Sequence, residues 1–196
     1  MPKNTIVIMV RHGEKPDSGE GLSVAGHERA QAYVIYFQNY LFQGQPLKFK
    51  YLFASESSSQ SHRPHKTINP LSQAINIPIN DEHKDTDFKN LAEELLKHEK
   101  YHNSNILICW HHGEILHLAK ALGVDDAILP STANWPLQWP ESVFGWVLQL
   151  VFDEKEKIDL NQTICLSEML MYNDYGQMPP GTNLTAKTNP TIQLSA

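Results

Sequence analysis

Two stretches of this chain share one construction, and together they restrict its fold more than any other feature. Thr5-Ile6-Val7-Ile8-Met9-Val10 is a largely apolar run that passes directly into Arg11-His12-Gly13-Glu14. Asn105-Ile106-Leu107-Ile108-Cys109-Trp110 likewise passes into His111-His112-Gly113-Glu114, followed by apolar residues at helical spacing. Apolar runs of this length suit strands buried on both faces, as in a parallel sheet covered by helices. Ligands in open α/β sheets bind at the C-terminal ends of strands, so both histidines are predicted to reach one such edge. An arginine beside a histidine there suits an anion that is also attacked chemically, and phosphate is the obvious candidate.

The rest of the chain alternates strand and helix. Ala30, Tyr33, Val34, Phe37 and Leu41 recur at helical spacing, with Ser23 as N-cap and Gly44 as terminator. Tyr51-Leu52-Phe53-Ala54 is a short second strand. Pro64 at the first position of the next helix places Arg63 at a helix N-terminus, where exposed amides favour an anion, and Pro70 is predicted to end or kink that helix. Residues 75–79 read as a third strand, and Phe88, Leu91, Ala92 and Leu95 as a helix capped by Asp87. Ile115, Leu118, Ala119 and Leu122 mark the helix after His112, closed by Gly123, and residues 143–152 and 163–171 supply two later strands. This alternation predicts an α/β three-layer sandwich with a mostly parallel central sheet flanked by helices.

A chain of 196 residues with 41% hydrophobic content supports one sizeable core. A single domain is expected over residues 1–173, with an irregular tail over 174–196 where Gly, Pro, Asn and Thr take over without periodicity. The net charge of -6 argues against nucleic-acid and anionic-membrane binding, which call for a basic surface. Six apolar residues after Met1-Pro2-Lys3-Asn4 are too few for a signal-peptide core, and no stretch is long enough to span a bilayer, so a cytoplasmic protein is expected. Cys109 and Cys165 lie in apolar strand-like runs and read as buried, reduced thiols.

Arg11-His12-Gly13 after the first strand and His112-Gly113 after a late one resemble the histidine phosphatase superfamily, the phosphoglycerate mutase-like fold. Leu22-Ser23-Val24-Ala25-Gly26-His27-Glu28-Arg29-Ala30 is similar to the stretch that opens that family's first helix. Ser61-His62-Arg63-Pro64-His65-Lys66-Thr67 is similar to its segment with a further phosphate-binding arginine. The likeness spans about residues 5 to 152 in chain order, which makes it more specific than a three-residue motif. It implies a metal-independent hydrolysis without cofactor in which His12 becomes phosphorylated and water clears the phosphohistidine. It also implies that Arg11, Arg63, His112 and Gly13 hold the phosphate.

That assignment fits the chemistry. The negative oxygens of a phosphate monoester resist attack unless arginines and donor imidazoles surround them. Nearby positive charge is expected to keep His12 neutral and nucleophilic near neutral pH. His111 and His62 read as neighbours of the catalytic groups, with a hydrogen-bonding role open to either. The leaving group needs a proton, and the acidic segment 81–87 makes Glu82 the first choice, with Glu114 and Glu14 as further candidates. His112, Glu114 and His117 lie close on one helix but lack the His-Glu-x-x-His spacing of a zinc protease. Trp135, Trp139 and Trp146 are candidates to border the pocket, although aromatic residues in such strands and turns are more often core. Only 48 residues separate Arg63 from His112, which leaves little lid to exclude water and favours a phosphatase over a mutase-type phosphotransferase. A non-catalytic phosphate-binding module is the alternative of a different class. The expected partner is a small phosphorylated substrate or a phosphoprotein.

Overall fold

Every residue of the first apolar run is buried, which requires β1 (Thr5–Arg11) to sit inside the sheet with both faces covered. A computed structural model, describing residues 2–59 and 61–182, shows how this is met. After β1 come α1 (Val24–Gln38), a hairpin of β2 (Leu41–Phe42) and β3 (Gln45–Pro46), then β4 (Tyr51–Ala54) and α2 (Arg63–Ile75). They are followed by β5 (Ile79–Asn80), α3 (Phe88–Lys97), β6 (Asn105–Trp110), α4 (His112–Ala121), β7 (Trp146–Phe152) and β8 (Ile164–Ser167). The six-stranded sheet has the order β5-β4-β6-β1-β7-β8. β5, β4, β6 and β1 are parallel, whereas β7 runs antiparallel between β1 and β8.

The period of two along β1 separates the core into two layers. Ile6, Ile8 and Val10 face α1 and α2, where they pack with Leu107, Cys109, Tyr33, Phe37, Ile68 and Leu71. Val7 and Met9 face the other way, with Ile106, Ile108 and Trp110, against Leu91 and Leu95 of α3 and Ile115 and Leu118 of α4. The result is the expected three-layer α/β sandwich. Cys109 and Cys165 are buried, unpaired and on opposite layers. Among the described residues no helix is long and apolar enough to cross a membrane.

Several expected boundaries move. Ser23 caps α1 by accepting from the Gly26 N–H, but the helix stops at Asn39, and Gly44 (φ 76°) instead turns the β2–β3 hairpin. α2 continues through Pro70 to Ile75, because buried Ile68 and Leu71 anchor the helix on either side of the one backbone bond that proline removes. The third strand therefore shrinks from residues 75–79 to β5, with Ile75 ending α2. Asp87 precedes α3 without a side-chain cap bond. The boundary drawn before residue 174 falls within packed structure: Asp174 and Pro179 are buried, and the Trp146 indole N–H donates to the Gln177 carbonyl. The remainder of the expected tail, 183–196, lies outside the described residues.

Candidate active site

The parallel pairing of β1 with β6 places Arg11 opposite Trp110, and the His12 N–H donates to the Trp110 carbonyl at 3.1 Å. His12 and His111 consequently leave adjacent strands side by side, with ring centroids 4.9 Å apart in an edge-on arrangement. β4 lies on the other flank of β6, Ala54 opposite Cys109, so the chain leading to Arg63 reaches the same sheet edge. A short relay fixes the loop after β1 to the first turn of α2. The Gly13 N–H donates to Thr67 Oγ1 at 2.8 Å, and that hydroxyl donates to the Arg63 carbonyl at 2.8 Å. α1 closes on the same loop, and a Cβ at Gly26 would collide with the Glu14 carbonyl oxygen, so only glycine allows this approach.

His12 is almost wholly buried, and its Nδ1 lies 2.7 Å from the Gly13 carbonyl. A carbonyl can only accept, so Nδ1 carries the hydrogen and Nε2 keeps the lone pair. Burial drives the imidazole pKa far below its ordinary value, with His111, Arg11 and Arg63 adding to the effect and the Gly13 bond opposing it. The neutrality expected of His12 thus has desolvation as its leading cause and neighbouring charge as a secondary one.

Arg11 is buried at the end of β1. Its Nη1 donates to the carbonyls of Glu141 at 2.6 Å and Val143 at 2.7 Å and reaches Pro140 at 3.4 Å, while the guanidinium lies 3.8 Å from the centre of the Phe144 ring. These contacts fix the plane and leave Nε buried without a partner. Burial lowers the guanidinium to about 10, against the raising effect of Glu141 and Glu14. Arg63 opens α2, with Nη1 3.4 Å from the Gly19 carbonyl and Nε also buried without a partner. His112 opens α4, where its Nδ1 is the third such nitrogen, and burial followed by Arg11 lowers its pKa.

Two cavities flank this group. One, of about 460 Å³, is lined by Glu56, Ser58, Arg63, Lys84, Asp85 and His111 among others. The second, of about 470 Å³, runs from His112 along α4 past Leu116 and Lys120 to Trp135 and Trp139. Of the three tryptophans, Trp139 and Trp146 are core, whereas Trp135 is half-buried on this cavity.

The acids lie differently from the sequence expectation. Glu82 is exposed beside Asn80 and does not line the cavity at Arg63 and His111; Asp85 and Glu56 do. Glu14 forms an ion pair with Arg29, 2.6 Å apart, and Glu114 bonds His117 Nδ1 at 3.0 Å, so both are engaged elsewhere. Among the described residues no three His, Cys, Asp or Glu side chains group as metal ligands. His62 pairs with Glu20 on the surface at 3.0 Å.

Sequence reasoning placed His111 as a neighbour of the catalytic groups but missed that it lines a cavity together with Arg63. It also missed a buried cluster behind the His12 loop. Arg29 of α1 bonds Glu14, Asp174 and Glu168 at once, and the Tyr33 hydroxyl donates to Glu168 at 3.2 Å. Asp174 is so close to Gly145 that a Cβ there would collide with its carboxylate.

No family model and no curated protein sequence matches the chain. The histidine phosphatase SixA complexed with tungstate superposes with a TM-score of 0.55 at 13% identity, covering 83% of this chain and 96% of that one. A mycobacterial glucosyl-3-phosphoglycerate phosphatase matches at 0.48 and 14% identity, over 83% and 96% of the two chains. A phosphoglycerate mutase from Plasmodium falciparum gives 0.48 and 14% identity, over 95% and 99%. The chain shares the fold of the histidine phosphatase SixA, the three-layer α/β sandwich expected from its sequence.

Proposed function

We propose that this protein is a phosphatase that hydrolyses phosphate monoesters through a phosphohistidine on His12. One observation carries the reading. Around a histidine whose Nδ1 is locked to the Gly13 carbonyl, three nitrogens, Arg11 Nε, Arg63 Nε and His112 Nδ1, are buried without partners. Buried polar groups are ordinarily hydrogen-bonded, and a set of orphans at the sheet edge that carries the nucleophile suits a ligand that brings several acceptor oxygens. A phosphoryl group does so.

In this reading Arg11, Arg63 and His112 hold the oxygens, while Gly13, expected to join them, instead spends its N–H on Thr67 and its carbonyl on the His12 tautomer; His12 Nε2 attacks phosphorus as the ester oxygen leaves. Water then attacks the phosphohistidine and releases inorganic phosphate. Hydrolysis is favoured over phosphoryl transfer because the segment from Arg63 to His112 is α2, β5, α3 and β6, all built into the core or its edge, with no inserted lid. The substrate is a small phosphorylated molecule or a phosphoprotein, and the two free buried thiols fit a reducing cytoplasm.

The test uses p-nitrophenyl phosphate with the chelator EDTA present. Wild type is expected to turn over, and acid quench of a labelled substrate should trap an acid-labile phosphoenzyme. His12→Ala should lower kcat at least about 100-fold and abolish the trapped species. Turnover above that level in His12→Ala removes the nucleophile assignment, and activity that needs an added divalent ion removes the metal-free mechanism.

A further inference from the structure

The cavity beside Arg63 is lined by an imidazole that the mechanism above does not use. We infer that His111 is the general acid that protonates the leaving oxygen, and the general base that later deprotonates water, with Asp85 as its positioning residue. The inference rests on the phosphatase reading and gives it the proton that Glu82 cannot supply from its position.

His111 follows β6 as His12 follows β1, its ring stands edge-on 4.9 Å from that of His12, and it lines the cavity together with Arg63. A leaving group in that cavity lies between the phosphoryl site and this imidazole. His111 is also spent poorly as a structural residue. It occupies the N-cap of α4, where Ser, Asn or Asp would bond the first turn, yet its side chain makes no cap bond. Asp85 lines the same cavity, acts on the His111 imidazole through space, and is itself fixed: the Trp110 indole N–H donates to the Asp85 carbonyl at 3.0 Å.

The charges facing His111 come from every neighbouring element. Asp85 precedes α3, Arg63 opens α2, His112 opens α4, Arg11 and His12 end β1, and Glu56 and Lys84 stand on the cavity wall. Burial, then Arg63, His112 and Arg11, depress the imidazole in the free protein, and Asp85 raises it. A phosphoryl dianion bound between Arg11, Arg63 and His112 cancels the positive neighbours. His111 then takes up a proton on substrate binding, where a general acid needs it.

The steps balance. His12 Nε2 donates its lone pair to phosphorus, the P–O(ester) bond breaks with its electron pair on oxygen, and the His111 N–H proton moves to that oxygen, releasing the alcohol. In the second step water oxygen attacks phosphorus, its proton passes to neutral His111, and the N–P pair returns to His12 Nε2 as hydrogen phosphate leaves.

A general acid matters most when the leaving group is poor, which provides the test. Full-length wild type, His111→Asn and His111→Gln are assayed with an alkyl phosphate and with p-nitrophenyl phosphate. Asn is a favoured N-cap, so the first variant keeps α4 even if the second does not. The expected kcat/KM loss is at least about 100-fold on the alkyl ester and under about 5-fold on the nitrophenyl ester. The alkaline limb of the alkyl-ester kcat profile should disappear in His111→Asn and move to lower pH in Asp85→Asn, a shift a packing role would not produce. Equal losses on both esters, or an unchanged alkaline limb, overturn this inference alone. Wild type that releases no phosphate from either ester overturns the phosphatase reading and this one with it.

Discussion

Arg11 and Arg29 are equally buried and close in the chain, yet they are opposite kinds of arginine. Arg29 is saturated: Glu14, Glu168 and Asp174 all bond its guanidinium, and these carboxylates hold its pKa above the ordinary range despite burial. Arg11 meets three backbone carbonyls and an aromatic face, retains an unpartnered Nε, and is lowered to about 10 by burial. Burial alone does not mark a binding arginine. The distinction lies in what its donors meet: a guanidinium surrounded by carboxylates holds structure together, and one fixed by neutral carbonyls keeps its charge for an incoming anion.

The largest expected effect falls on the saturated partner. Arg29→Met keeps most of the volume but leaves Glu168 and Asp174 buried without their cation. Removing one member of a buried ion cluster costs about 3–5 kcal/mol, so urea denaturation should show a loss in that range, or a chain that no longer folds. A loss under about 1 kcal/mol would mean that the carboxylates relax to water or protonate freely, and the contrast with Arg11 would collapse.

Arg11→Met should reverse the pattern. No carboxylate depends on Arg11 through a bond, the Val143 carbonyl still accepts from the Trp139 indole, and Pro140 and Glu141 are exposed, so their carbonyls can turn to water. A stability loss of about 1–2 kcal/mol is expected, clearly smaller than at Arg29. Loss of a donor aimed at the phosphoryl oxygens should lower kcat/KM by about 100- to 1,000-fold. Inorganic phosphate should raise the Tm of wild type and leave that of Arg11→Met unmoved. Equal stability losses at the two arginines would break the comparison.

The comparison also shows what the sequence could and could not display. The meeting of Arg11, His12 and His112 at one sheet edge was legible because each ends or follows an apolar run, and register in a parallel sheet then brings the ends together without further information. The layers were legible from the alternation of strand and helix along the chain. The seat of Arg11 was not, because it is made of backbone carbonyls at 140, 141 and 143, which carry no side-chain signature. Arg29 looked like an ordinary polar helix residue, since its partners Glu168 and Asp174 lie 139 and 145 residues further on. Glu82 was chosen by composition within an acidic stretch. Which acid of such a stretch faces inward is decided by the turn before α3, and that turn presents Asp85.

The smallest effect probes the Arg29 cluster itself. Three carboxylates surround one guanidinium, and they cannot all ionise cheaply in a buried site. Glu168 is the most deeply buried, its Oε2 has no partner, and burial together with Asp174 outweighs Arg29 to push its pKa up to about 8. Above an ordinary carboxylate pKa the unfolded chain releases this proton, whereas the folded protein keeps it until about pH 8. The unfolded state therefore binds fewer protons across that window, and the contribution of Glu168 to stability falls as pH rises through it, with no further loss above. Buried His12 works in the opposite sense, because its depressed pKa makes folding more favourable as pH rises towards the ordinary histidine value. The measurement is therefore the difference between wild type and Glu168→Gln, in which the histidine contribution cancels. From pH 5 to pH 8 wild type should lose at least about 1 kcal/mol relative to Glu168→Gln, whose amide has no proton to release. A difference that stays flat with pH would show Glu168 already ionised against Arg29, and one that runs the other way would show its pKa depressed.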